Sequence, residues 1–546
     1  MKKSQRALLV AGMAVLMALV AVPAAAGASV PAAAGATVPA AVPAAAAGDV
    51  RSWGYDLEGS RYAAAETTIT PHNVSRLRLK WVFAVPTATG AQSQPAVVGN
   101  TLYFGGTNGV FYALNATTGK LRWRFNTARI VHVASNPLRD GPAVSRGVVY
   151  FGDDKADLFA LDARTGKLRW IVKLDSHPAA VITGSPVVYH GRVIVGVSSV
   201  EELFALVPAY PCCTFRGSLV ALDAQTGRLL WRHYMVPKPS LIGVSKGVPH
   251  FGPAGVAVWT TPAVDPRTGT IFVGTGNDYI GTPSRLEDSI VAIDAATGAQ
   301  KWATQLSDPE AWNFSCVLTP GLFNCPVPGS DFDFGSSPNV FTIGDRTVVG
   351  EGQKSGLYHV LDASTGKIVW QDMLSSTSLP SAIAAGLFGI EWGTSYDGKH
   401  IYVATNIANP GTMFALSPAT GRLVWKKPVP KLTCLRPRAL FRPHSPIGCL
   451  PALPAAVSSS PGLVWEGGQD GILRAYSSAD GRVLWSYDTV RRYRHTTDGV
   501  PGFGGSIDGG GTVIAHGMVY SNSGYTHFGI IGTEMTGNVL LAFALR

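Results

Sequence analysis

Apolar and polar positions alternate with a period of two along most of the chain, and Gly, Asn and Asp interrupt the alternation every few residues. This pattern predicts short, half-buried strands joined by tight turns, because an amphipathic helix would repeat its apolar face at about 3.6 residues. One segment recurs. It reads ALNATTGKLRW ending at Trp123, ALDARTGKLRW at Trp170, ALDAQTGRLLW at Trp231 and AIDAATGAQKW at Trp302, then VLDASTGKIVW at Trp370, ALSPATGRLVW at Trp425 and AYSSADGRVLW at Trp485. Each copy is an apolar strand, a turn opened in most copies by Asp or Asn and closed by a Gly with positive φ, and a second strand ending on a large aromatic.

Between the copies lie runs such as PAVVGNTLYFGG, PVVYHGRVIVGV and PAVDPRTGTIFVGTG, which place β-branched residues around a second turn and predict another strand pair. Four strands per repeat make a propeller blade. A lone blade cannot bury its faces, so the blades stack radially and the recurring Trp fills the interface between neighbours. NVLLAFAL at the C-terminus is the first half of a unit, and LRLKWVF around Trp81 is a second half without its beginning. Pairing them gives an eighth blade, closes the ring and removes exposed edges. The expected fold is an all-β eight-bladed propeller in one domain, residues 49–546; a stack of helical repeats has the wrong period.

Composition adds context. The chain has 546 residues, 46% hydrophobic and only 15% charged, enough to bury a large core. Lys2, Lys3 and Arg6 precede an apolar run from Ala7 to Val22 and small residues at Ala24 to Ala26, which predicts a secretory signal over residues 1–26. That run is shorter than the ~20 apolar residues a membrane span needs, so no stable membrane anchor is expected. Residues 27–48 are an Ala/Pro-rich linker. The expected location is secreted, periplasmic or cell-envelope.

Six cysteines in an exported chain predict disulfides. Cys316 with Cys325 and Cys434 with Cys449 each can close a loop, while the adjacent Cys212 and Cys213 bond to each other or cross-pair. There is no CxxCH motif, hence no covalently held c-type haem in this chain. The formal charge of +10 points to acidic partners or envelope surfaces rather than nucleic acid. Part of the excess sits between Gly398 and Trp465, with Lys426, Lys427, Lys431, Arg436, Arg438 and Arg442 and no Asp or Glu; it is either a docking patch for an acidic electron acceptor or a solvated basic loop.

The repeat A-x-D-x-x-T-G-x-x-x-W resembles the tryptophan-docking motif of the quinoprotein alcohol dehydrogenases, eight-bladed propellers that use pyrroloquinoline quinone (PQQ) and calcium. The opening DVRSWGYDLEGSRYAAAETTITPHNVSRLRLKW is similar to that family's entry segment, and the tail SGYTHFGIIGTEMTGNVLLAF resembles polyvinyl alcohol dehydrogenase-like members. Cofactor-free propellers, including an outer-membrane assembly lipoprotein, share the repeat, so the mouth of the funnel decides. PQQ is a flat tricarboxylated quinone and needs an aromatic surface, cationic or donor groups, a calcium ion and a carboxylate base.

The resemblance assigns these roles residue by residue. Trp259 in VWTTPAVD stacks on PQQ, and Asn277 in GTGN and Glu201 in VSSVEE bind calcium. Ser198, Ser199 and Thr183 hydrogen-bond the cofactor, Arg146 in VSRGVVYFG pairs with one of its carboxylates, and Lys354 in GEGQKSG contacts the quinone oxygens. The family's Trp-Asp pair is replaced by Trp312 and Asn313, and an amide cannot take a proton. SDFDFGSSP restores a D-x-D run after the insertion that holds Cys316 and Cys325, making Asp331 the base and a calcium ligand, with Asp333 its neighbour. Cys212 and Cys213, in YPCCTFRGS, either form a disulfide ring above the quinone or two separate structural bridges.

The implied activity is oxidation of a secondary or polymeric alcohol to a ketone, with electrons passing to a separate acceptor such as a cytochrome c. Two alternatives remain at this level: a cofactor-free propeller that binds proteins or envelope polymers, which the Asn313 departure favours, and a quinoprotein acting on sugars.

Overall fold

Every docking repeat forms the third and fourth strands of a four-stranded antiparallel sheet. In the first blade Ala96–Val98, Thr101–Gly105, Val110–Asn115 and Leu121–Asn126 are hydrogen-bonded in that order. The computed structural model describes residues 48–546 except 89, 282–283, 308–310, 320, 326–327, 376–388, 407–409, 431–448 and 526–534. The expected signal segment, most of the linker, Cys434 and the basic run from Lys431 to Arg442 lie outside the described residues. Blades two to seven occupy residues 143–173, 187–234, 263–305, 339–373, 395–428 and 458–488. The eighth joins the two ends, its strand order being Val513–Ala515, Met518–Ser523, Val539–Leu545 and Leu77–Ala84.

The turn chemistry of the repeat explains its sequence. Asp162 Oδ1 accepts hydrogen bonds from the backbone N–H and hydroxyl of Thr165 at 2.9 and 2.8 Å, and Asp223, Asp294 and Asp362 do the same for their Thr. The following Gly has positive φ, but conformation is only half its purpose. A Cβ at Gly298 would lie 2.6 Å from the Trp231 ring, and the preceding blade's indole crowds Gly119, Gly166, Gly227, Gly366, Gly421 and Gly481 likewise. Each of the eight indole N–H groups then donates to a backbone carbonyl of the next blade, from Trp81 to Ala116 O at 3.0 Å round to Trp485 to Leu77 O at 3.3 Å.

The first strand of each blade lies on the axis, and residues 49–66 identify it. This segment visits the first strands in blade order: Val50 pairs with Val97, and Arg51, Leu57, Glu58 and Ser60 offer carbonyls to Val144, Val264, Val340 and Tyr396. Arg61 and Ala63 then bond Ser459, and Tyr55 and Glu66 bond Ile514 and Gly517 in the eighth blade. Seven blades are thus stitched by one strap that floors the central channel. At its centre the buried Arg61 guanidinium donates to Val457 O, Trp53 O, Gln94 Oε1 and Ser458 Oγ at 2.6–3.0 Å and lies 4.8 Å from the Trp53 ring centroid.

Two glycines separate the cost of conformation from the cost of contact. Gly298→Ala is expected to destabilise the fold by about 3 kcal/mol or more, because positive-φ strain and overlap with the indole add. Gly147→Ala, with positive φ and no atom within 4 Å of the new methyl, is expected to cost only about 1–2 kcal/mol. Urea unfolding midpoints of the two variants check the difference.

Candidate active site

Because the strands of each blade alternate in direction, its loops alternate between two faces. Connections from the fourth strand to the next blade's first strand share a face with the turns between second and third strands; the other turns lie opposite. Gln92, Arg139, Thr183, Trp259, Asp331, Asp333, Glu391, Trp392 and Asp508 lie on inter-blade connections, and Glu202, Asn277 and Lys354 follow second strands. All therefore meet on one face, around the channel whose floor is the strap.

A cavity opens there, walled by Trp53, Trp259, Trp392 and Tyr525 and edged by Gln92, Arg139, Thr183 and Thr260. A largely aromatic wall suits a planar ligand. Trp259 and Trp392 meet edge to face with centroids 5.7 Å apart. The Trp259 indole N–H donates to Asp333 Oδ2 at 2.9 Å, its backbone carbonyl accepts from Thr183 Oγ1 at 2.9 Å, and Trp392 donates to Asp508 Oδ1 at 2.8 Å. Each ring is fixed by a carboxylate on another loop.

Beside Trp259 lies a charged cluster. Lys354 Nζ is 2.9 Å from Asp331 Oδ1, 2.7 Å from Asp333 Oδ1 and 5.1 Å from the Trp259 ring centroid. Burial works against the Lys354 charge, but Asp331, Asp333 and Glu391 outweigh it and hold the ammonium well above the usual lysine range. Burial pushes Asp331 up to about 6, Lys354 pulling it down and Asp333 pushing it up. Glu202 is pushed up to about 8 by burial first, with Asp331 and Asp333 adding to the shift against Lys354. Four carboxyl groups, Glu202, Asp331, Asp333 and Glu391, thus share one ammonium.

The structure brings Trp259, Thr183, Asp331 and Lys354 together. Asn277 joins them through the loop of Asp331, its Nδ2 donating to Ser330 O at 3.3 Å. Arg146 is not among them. It forms with Gly147 the two-residue turn between Ala143–Ser145 and Val148–Gly152, both residues at positive φ, and is exposed on the opposite face. The cation at the cavity edge is Arg139, which also pairs with Asp154 at 3.1 Å.

Glu201 is likewise turned away. Its Oε1 accepts from Tyr210 OH and Thr214 N and its Oε2 from Phe215 N, each at 2.8 Å, and His177 Nε2 is 3.5 Å distant. Burial would raise its pKa, but the hydrogen bond and charge of His177 and these two N–H groups hold it below the ordinary value. The next residue, Glu202, senses the Asp331 cluster instead. Ser198 and Ser199 are buried along the second strand of blade three, where they pair with Val181 and Ala180; Ser199 Oγ accepts the Glu201 N–H. Cys212 and Cys213 are disulfide-bonded to each other and fully buried in the apolar cluster against which Trp259 packs, so they do not line the cavity. Cys316 bonds Cys325 as expected, and Cys449 is also disulfide-bonded.

Asn313 has a structural role. It caps the helix Phe314–Leu318, accepting from Ser315 N at 2.8 Å and donating to Tyr279 O and Asn324 O at 2.7 and 2.8 Å. Sequence reasoning missed Trp53, Arg139, Glu202, Glu391, Trp392 and Asp508. A signal existed for the aromatic ones: of thirteen tryptophans, eight dock and five do not, and three of those five, Trp53, Trp259 and Trp392, wall the cavity.

Residues 51–373 match the family PQQ, described as the glucose/ethanol/alcohol dehydrogenase β-propeller domain, and residues 354–522 match one described as outer membrane protein assembly factor BamB. The chain is 35% identical to a polyvinylalcohol dehydrogenase of a Pseudomonas species over 90% of its own length and 76% of that protein's. A second polyvinylalcohol dehydrogenase, from a Sphingopyxis species, is 34% identical over 92% and 77%. Among solved structures, a quinohemoprotein alcohol dehydrogenase from Pseudomonas putida superposes with a TM-score of 0.67 at 21% identity, covering 91% of this chain and 80% of that one, and a europium-containing methanol dehydrogenase with 0.63 at 18%, covering 92% and 98%. Those two establish the fold alone. The chain belongs to the PQQ-dependent alcohol dehydrogenase family of propellers.

The two arginines give a direct check of the site. Arg139→Ala is expected to weaken PQQ binding to the apoprotein at least tenfold, the value of about one lost charge-assisted hydrogen bond. Arg146→Ala is expected to leave it unchanged; titration by tryptophan fluorescence measures both.

Proposed function

We propose that the protein is an exported, PQQ- and calcium-dependent dehydrogenase that oxidises a secondary or polymeric alcohol to a ketone and passes the electrons to a separate acceptor such as a cytochrome c. The observation that carries this reading is Lys354, buried between Asp331 and Asp333 over the ring of Trp259, which itself walls the aromatic cavity. The dehydrogenase chemistry accords with the family and with the two polyvinylalcohol dehydrogenases that resemble the chain over most of its length. Export rests on the charged-then-apolar N-terminus, and among the described residues no helix is long and apolar enough to cross a membrane.

The residues present fit both groups. The cavity offers indole faces for a planar quinone and Arg139, Thr183 and Thr260 for its carboxylates and oxygens. Calcium requires several oxygen ligands. Among the described residues no three His, Cys, Asp or Glu side chains converge as a ready-made metal cage, so the set we assign combines two carboxylates, Glu202 and Asp331, with the amide oxygen of Asn277. The surplus of carboxyl groups over Lys354 is a negative excess that a divalent cation would relieve; Asp331 and Asp333 add to the burial that pushes Glu202 up to about 8. Glu202 takes the part first given to Glu201, whose oxygens already accept protein hydrogen bonds.

When bound, PQQ would supply a two-electron acceptor and calcium a Lewis acid. Asp331 removes the hydroxyl proton of the alcohol. Lys354 holds Asp331 and Asp333 in place and supplies the positive charge that favours the reduced cofactor. Trp259, fixed by Asp333, orients the ring, and the aromatic wall excludes water from the reacting carbon.

Reconstitution tests the proposal: PQQ and calcium are added to purified apoprotein, and dye reduction is followed with short diols and with polyvinyl alcohol. Turnover dependent on both additions is expected; failure to bind PQQ would return the chain to the cofactor-free alternative. Asp331→Asn is expected to lower kcat by about 10²-fold or more, the scale of a general base. Asn313→Ala should retain the rate of the folded protein. Glu202→Gln is expected to raise the calcium needed for half-maximal activity roughly tenfold through the lost ligand charge. Glu201→Gln should leave that requirement unchanged.

A further inference from the structure

A polymeric substrate raises a geometric problem that the cavity does not solve. A single aromatic cavity that also receives the cofactor seats one carbinol at a time, so the chain on either side lies on the surface around the mouth. In a vinyl alcohol polymer that flanking chain is an aliphatic backbone with neutral hydroxyls, which favours a border rich in exposed aliphatic side chains.

Three neighbouring loops on the active-site face provide one. The antiparallel hairpin Ser240–Ser245 with Val248–Gly252, inserted between blades three and four, projects far enough to expose both faces of its first strand: Leu241 is 58%, Ile242 43% and Val244 63% exposed. Lys246 at its tip lies 4.3 Å from the Phe323 ring centroid, in the loop closed by Cys316–Cys325 that exposes Leu318 and Leu322. Asn324 of that loop donates to the carbonyls of Ala205 and Val207, and Val207 is exposed in turn. These residues differ from the other exposed aliphatics, most of which, such as Leu121, Leu168, Leu229, Ile368, Leu423 and Val483, repeat at one position of the outer strand and belong to the blade pattern. None of the three loops belongs to the repeat.

The patch is tied to the catalytic groups through buried backbone. Phe251 at the end of the hairpin is bonded through its N–H to Cys212 O and through its carbonyl to Cys213 N, and the Cys212–Cys213 loop is clasped by Glu201, whose neighbour is Glu202. Beyond Gly252 the chain reaches Trp259 in seven residues. We propose that the hairpin and the 314–325 loop form an extended subsite for the aliphatic backbone of a polymeric secondary alcohol, seating the segments that flank the carbinol in the cavity. This rests on the polymeric-alcohol reading above.

The test compares a long vinyl alcohol polymer with 2,4-pentanediol as a probe of the repeating unit, using PQQ- and calcium-loaded enzyme and a dye acceptor. In the combined variant Leu241→Ser, Ile242→Ser, Val244→Ser, KM for the polymer is expected to rise about tenfold at unchanged kcat, as lost apolar burial dictates. The kcat/KM for the diol and the thermal midpoint stay at wild-type values. Leu322→Ser, on the second loop, shifts polymer KM in the same direction by a smaller factor. An unchanged polymer KM, or equal losses on polymer and diol, overturns the subsite. So does sedimentation of the wild type, but not the variant, with phosphatidylglycerol vesicles, which would assign the face to a lipid surface. A loss seen only with a protein acceptor would assign it to electron transfer and equally overturn the proposal. A wild type that oxidises the diol but no polymer sinks the subsite and leaves the dehydrogenase standing, whereas oxidation of neither sinks both.

Discussion

The contact that the molecule depends on is an indole lying on a glycine. At seven blade boundaries the approach is too close for any Cβ, and at all eight the indole N–H reaches a carbonyl of the neighbouring blade. A ring has no first or last interface, so each contact must hold the same distance for the circle to close; an error repeated at every boundary would open a gap at the eighth. This explains why the motif tolerates Asn115, Ser417 and Ser477 at the Asp position yet keeps Trp and Gly at fixed separation. The side chain opening the turn can be exchanged among hydrogen-bond acceptors, whereas the distance between blades cannot.

Closure in turn creates the site. Eight inner strands leave an axial channel, and a channel open at both ends would be a water-filled pore. The strap of residues 49–66 seals one end, using the same strand edges that a free blade would expose, and Arg61 satisfies the carbonyls left at its centre. The other end remains open, lined by loops that the repeat does not constrain. Trp53 belongs to the strap and also to the cavity wall, so the plug of the fold is also the base of the pocket.

The repeat, the number of blades and the joining of the termini were legible in the sequence because each copies a local rule many times. The D-x-D run and Lys354 were legible too, as rare charges in a chain that is otherwise poor in them. What escaped was direction. Arg146 and Arg139 stand seven residues apart with similar neighbours, and only the turn between them and the axis tells which face each serves; Arg146-Gly147 between two alternating apolar runs is a hairpin turn, and parity sends it to the far side. Glu201 and Glu202 open a single helical turn, where adjacent side chains diverge by about 100°. One faces the cysteine loop and the other the Asp331 cluster, and no pattern in V-E-E-L distinguishes them. Asn313 serves the inserted helix it caps, while a carboxylate paired with Lys354 stands beyond the insertion at Asp331.

Glu201 and the insertion therefore belong to one construction. A buried carboxylate accepting three hydrogen bonds is costly to dislodge, because removing its partners leaves an uncompensated buried charge. Glu201 spends that rigidity on the loop of Cys212 and Cys213, which holds the end of the exposed hairpin, while Asn324 ties the 314–325 loop to the carbonyls that follow the Glu201 helix. The three segments that depart from the propeller repeat are thus fastened to one another and to the residue preceding Glu202. Variation in such loops leaves the eight interfaces untouched, since none of them carries a docking indole or its glycine. A fold whose stability resides in a repeated contact between blades can change what its loop face accepts, provided the new loops are anchored to each other; here the anchor is a glutamate, set one residue from the group that senses the Asp331 cluster.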